Sequence, residues 1–138
     1  MIDNKYKNIV YCLTLFLDIV LLFILCNYKL NCFDFIYCIS SLISHALFLY
    51  VLIYYNKKLL DCLHVAIFIY VLLSIFLQNK YLIGLCLFFT LTLQVIWIIE
   101  NKCILNEGNE NWGMSKSISL LTLLINTILA YKLGNITS

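Results

Sequence analysis

The sequence predicts an all-α fold, a polytopic transmembrane helical bundle of four or five spans in up-down order. Three observations lead there. The 138 residues are 64% hydrophobic and 12% charged, with a mean hydropathy of +0.98, whereas a soluble domain carries about 45–50% apolar and about 25% charged residues. Apolar surface in that excess outruns what a soluble fold of this size can bury, so a bilayer is the simpler solvent. The apolar residues lie in long runs joined by short polar connections, which forces antiparallel neighbours. Those runs lack the period-2 alternation of membrane strands. Residues 1–138 read as one integral membrane domain.

The first segment, 9–26, is interrupted only by Asp18 and would cover about 27 Å, near the hydrocarbon thickness of about 30 Å. A cleaved signal peptide has a shorter apolar region and a small-residue cleavage site. This run is longer, carries an Asp and ends Leu25-Cys26-Asn27-Tyr28, so it reads as a membrane helix. Asp34, after the polar connection, has the chemistry to cap the next helix by accepting orphan N–H groups. That helix, 35–55, has no formal charge and holds His45 near its centre. Asn56-Lys57-Lys58 turns the chain into segment 59–77, with Asp61, itself a candidate cap, and His64 in its first turns. Gln78-Asn79-Lys80 leads into 81–99, which completes two successive hairpins. A fifth segment, 117–131, covers only about 22 Å and is expected to span by starting earlier or thinning the bilayer locally.

Between the fourth and fifth segments runs the long polar stretch Trp97–Trp112, which contains all three glutamates. Its tryptophans read as interface markers, and Glu107-Gly108-Asn109-Glu110-Asn111 as a turn. Lysine counting sets the orientation. Lys5, Lys7, Lys57, Lys58, Lys102 and Lys116 fall on one side, and Lys29, Lys80 and Lys132 on the other. The excess places the N-terminus and the Trp97–Trp112 stretch in the cytoplasm.

Composition excludes several classes. All nine basic residues are Lys, unclustered, and the net charge is +2, so no nucleic-acid footprint is present. No two of the seven Cys are spaced Cys-x-x-Cys, which leaves a zinc site or thioredoxin-type pair unsupported. Most read as small apolar fillers, although Cys26, Cys32 and Cys38 share the far side, where a disulfide would form if that compartment is oxidising. No serine triad, phosphate loop, selectivity filter or cofactor motif occurs. The Ile-, Asn-, Lys- and Tyr-rich composition without Arg or Pro suggests AT-rich coding.

Polar residues recur at helical spacing in every segment, as Tyr11/Thr14/Asp18, Tyr37/Ser41/His45, Asp61/His64, Cys86/Thr90/Gln94/Trp97 and Ser115/Ser119/Thr122/Asn126. Spacings of three and four put each set on one face, and polar groups in hydrocarbon turn inward to find partners. Asp18 and His45 lie at mid-membrane on adjacent helices. They read either as a paired interhelical hydrogen bond or as a group able to hold a proton, a cation or an acid–base role. Asp61, His64, Gln94, Glu100 and Cys103 form a second candidate, a pocket facing the cytoplasm. No metal site is expected, since ligands at fixed spacing are missing.

From His64 onward the chain resembles a widespread family of small uncharacterised bacterial membrane proteins. That family has a His early in one helix, a next helix ending in Trp, and then a Cys-Pro-Leu-Thr-x-Leu-Glu motif. The matching residues are His64, Trp97, Cys103, Leu105 and Glu107. Ile104 stands where the family has Pro, Asn106 where it has Thr, and Glu107 comes early. The chain is also similar to membrane proteins of large AT-rich DNA viruses that carry Cys-Ile-Leu-Thr. The resemblance implies that Cys103 to Glu107 form a packed structural corner, and it implies no activity.

Two functions follow as expectations. The first is a non-enzymatic multi-pass protein whose partners are the lipid bilayer and other membrane proteins or further copies of itself, organising a membrane such as that of a virion. The second is a small-molecule, lipid, ion or proton site in the polar interior, resting on Asp18, His45, Asp61, His64, Gln94, Glu100 and Cys103.

Overall fold

The computed structural model describes residues 4–100 and 116–137, with side chains at 7–99 and 120–136. The described residues form five α-helices and no strand: α1 (Asn4–Asn27), α2 (Cys32–Ile53), α3 (Lys57–Leu73), α4 (Lys80–Glu100) and α5 (Lys116–Thr137). The bundle is membrane-embedded by composition. The stretches Lys7–Asn27, Cys32–Ile53, Lys57–Phe76 and Lys80–Ile99 are long and apolar enough to cross a bilayer, and Leu120–Ile136 is a shorter apolar helix. In hydrocarbon a backbone must satisfy its own polar groups, which selects helices. Hydroxyls follow the same rule. Thr14, Thr92 and Thr127 each donate to the carbonyl four residues back, at 2.8–2.9 Å, so they carry no unsatisfied donor into the bundle or the lipid.

Helix starts differ from the sequence expectation. Asn31 caps α2, its side chain accepting from Asp34 N at 2.8 Å. Asn56 caps α3 through Leu59 N at 3.2 Å, which leaves Asp61 exposed one turn inside the helix. Asp34 serves a different helix. Its carboxylate, 1% exposed, accepts from Gln78 N and Asn79 N, the latter at 2.8 Å. It thereby satisfies donors at the α3–α4 turn, and Asn79 Oδ1 caps α4 through Tyr81 N and Leu82 N. On the other face of the same turn, α3 tightens into a 3-10 turn at Ser74–Phe76. Lys132 of α5 donates there to Ile75 O (2.8 Å) and Leu77 O (2.6 Å). A carboxylate on the N-terminus of one helix and an ammonium on the C-terminal carbonyls of another both suit the helix dipole.

The second hairpin does not close side to side. α3 packs on α2 and α5, α4 packs mainly on α5 and also on α1, and α1 packs on α2. Around the bundle the order is therefore α1, α2, α3, α5, α4. α5 runs antiparallel to α4, since Asn126 meets Thr90 and Gln94 while Lys132 reaches the turn that starts α4. Splaying α3 from α4 divides the core. One packed cluster at the α3–α4 turn includes Ile24, Cys38, Leu77, Leu82, Ile83 and Leu129. A second near the α2–α3 turn comprises Val10, Phe48, Val51, Leu52, Leu60 and Leu63.

Candidate functional site

A cavity of about 140 Å³ lies between the two clusters. Residues from all five helices line it, reaching from Val10 and Trp97 at one end to Tyr37 and Cys86 at the other. The wall is mostly Leu, Ile, Val and Phe, broken by Thr14, Ser41, Ser44, His45, His64 and Thr90. Among the described residues, no Lys, Asp or Glu borders it.

α2 supplies one polar wall because Tyr37, Ser41, Ser44 and His45 repeat at three and four and so share a face. Tyr37 and Ser41 are buried. Tyr37 Oη donates to Tyr70 O at 3.1 Å and lies 3.3 Å from Cys86 Sγ, while Ser44 Oγ and Tyr70 Oη are 3.0 Å apart. These contacts close the end of the cavity toward the α3–α4 turn. At the other end, His64 stacks on Phe68 at 5.7 Å and Phe68 meets Trp97 at 6.5 Å. Trp97 is only 8% exposed, so its ring packs into the bundle and lines this end of the cavity.

Asp18 and His45 meet. Nδ1 of His45 lies 2.7 Å from Oδ1 of Asp18, and the side chains are 18% exposed for Asp18 and 24% for His45. His45 borders the cavity and Asp18 stands behind it, away from the lumen. The inward stripe of α1 is accordingly Val10, Thr14, Leu17, Leu21 and Ile24, with Asp18 at its margin and Tyr11 37% exposed. α1 packs on both α2 and α4, which rotates its buried face away from the most polar edge.

Of the second candidate pocket, the structure describes Asp61, His64 and Gln94. Asp61 is exposed. His64 instead shares the cavity with His45. Gln94 turns to α5, where its Oε1 accepts from Asn126 Nδ2 at 2.9 Å. Thr90 joins the same ladder, donating to Asn126 Oδ1 and to Cys86 O. These bonds hold α5 on α4 and are the polar glue expected between membrane helices. The Glu100 side chain and Cys103 lie outside the described residues, as do Trp112, Ser115, the Ser119 side chain and the Cys103–Glu107 corner. Among the described residues, no three His, Cys, Asp or Glu side chains cluster as metal ligands. Cys26, Cys32 and Cys38 are free thiols, with Cys38 buried.

The helices and the cavity they enclose define an all-helical membrane bundle with a largely apolar interior broken by a few hydroxyl and imidazole side chains. No family model, curated protein or solved structure matches the chain.

Proposed function

We propose that this membrane protein works through a binding site for an uncharged, lipid-soluble small molecule in its interior. The cavity of about 140 Å³ carries this reading. Interiors normally pack to crystal density with few voids, and a comparable engineered apolar cavity of about 150 Å³ binds benzene. Pure helix packing with partners gives the cavity and its two histidines no role.

Trp97 borders the cavity and reports on it. In a Trp112→Phe background it is the remaining indole. Titrating 4-bromophenol into the protein in detergent micelles is expected to give saturable quenching above a linear micelle background. Ala66→Phe, which places a ring in the cavity wall, should leave only the linear part. If the Trp112→Phe protein itself shows only the linear part, the interior-site reading is lost.

Packing against other membrane proteins is a second reading. It draws on Gly84 of α4, where an added Cβ would meet nothing within 4 Å, since small residues let helices approach closely. Cross-linking in native membranes that traps only monomer would remove it.

In this proposal all five helices cross, with the N-terminus and the 101–115 connection cytoplasmic. The lysine distribution and the antiparallel α4–α5 packing support it. In a background with all seven native cysteines replaced by serine, a membrane-impermeant maleimide should label Lys58→Cys only in inside-out vesicles and Lys29→Cys only in right-side-out ones. Labelling of both positions from one side would overturn the topology.

A further inference from the structure

The class of occupant can be narrowed, on the footing that the interior-site reading holds. We infer that the cavity takes a neutral molecule of benzene to small-phenol size, carrying one hydroxyl-type donor that bonds to Nε2 of His45.

Size comes first. The volume matches the cavity class that accepts a single six-membered ring.

Charge is decided by the wall. No Lys, Asp or Glu borders the cavity among the described residues. A carboxylate or phosphate would therefore find no cation, and an ammonium would find no carboxylate in direct reach. An unpaired ion in such a site is costly.

Polarity is decided by His45. With His45 as the neutral imidazole, Nδ1 donates to the Asp18 carboxylate across 2.7 Å. The second nitrogen, Nε2, is then an acceptor. A hydrogen-bonded carboxylate behind a His also fixes the ring's orientation. Ser41, one turn earlier on α2, is buried and borders the same space. Its hydroxyl supplies an acceptor or donor beside the imidazole. A ligand hydroxyl thus meets an oriented acceptor in a mostly apolar chamber.

The test compares probes on one protein. In the Trp112→Phe background, 4-bromophenol, bromobenzene and 4-bromobenzoate are titrated while Trp97 quenching is followed. The phenol is expected to saturate about tenfold more tightly than bromobenzene, the scale of one hydrogen bond, and the benzoate to show no saturable phase. In His45→Phe the phenol should fall to the affinity of bromobenzene while bromobenzene itself changes little. Equal affinities for phenol and bromobenzene would overturn the donor assignment and leave the interior site standing. Preferential binding of the benzoate would overturn the neutral class. Absence of saturable quenching by every probe would remove the interior site and this inference together. The comparison between probes does not depend on any variant at position 45 folding.

Discussion

Asp34→Ala is expected to destabilise the bundle by about 3 kcal/mol, because a carboxylate hydrogen bond contributes about 1.5–3 kcal/mol and orphaned donors add their own cost. Asp34 is 1% exposed and accepts from Gln78 N and Asn79 N, far from its own position in the chain. Removing it strands the donors of a turn flanked by Leu77, Leu82 and Ile83, all at 0% exposure. The loss should therefore spread through the larger core cluster rather than fray one helix end. Asp34→Asn keeps an acceptor oxygen and should lose only about half as much. Unfolding of the purified protein in micelles, followed by circular dichroism, checks both. An Asp34→Ala protein as stable as the parent would show that water reaches the turn and replaces the carboxylate.

Lys132→Met is expected to cost about 2 kcal/mol through two carbonyls left without their charged donor. Methionine keeps an unbranched apolar stem of similar reach, so the change isolates the ammonium bonds to Ile75 O and Leu77 O. Because Lys132 joins the end of α5 to the turn after α3, the variant should also loosen α5. Hydrogen exchange at Leu129 and Leu133 would report it. Asp34 and Lys132 hold the same turn from opposite sides. Groups that share one element are not additive, so the double variant should cost less than the two single losses together. Strict additivity would mean that the two side chains support separate elements.

The fold class was open to reading from residues alone. Long runs of Leu, Ile and Phe with few charges can bury their surface only in lipid, and lipid leaves the backbone no option but a helix. Short connections such as 54–56 likewise showed where the chain turns. The start of α2 and the partner of Asp34 were not legible. Asn31 and Asp34 both have capping chemistry, and which one meets its own helix depends on where the α3–α4 turn arrives. Lys132 reads in sequence as a flanking charge on the far side. Its role appears only when α5 lies beside the 3-10 turn at Ser74–Phe76.

For the candidate site, the sequence placed Asp18 and His45 at similar depth on neighbouring helices, and the structure brings them to 2.7 Å. It also placed His64 near Asp61 and Gln94, whereas His64 faces the space that His45 borders and Gln94 is occupied by Asn126. The cavity left no sequence signal, because a void arises from how helices sit against one another. The one trace was the set Tyr37, Ser41, Ser44 and His45 at inward spacing on α2, more polar groups than a sealed apolar seam requires.

Sequence by itself determined that this is a membrane-embedded helical protein, where its helices run, and which residues share a face. Those properties follow from hydropathy and a 3.6-residue period, both local to the chain. Tertiary structure alone decided the rest: that α5 separates α3 from α4, that Trp97 lines the interior, that Asp34 and Lys132 grip one turn, and that two histidines border one cavity. Each depends on the rotation and offset of one helix against another, and a hydropathy pattern specifies neither. Buried polar side chains take whichever partner that packing brings within hydrogen-bond distance.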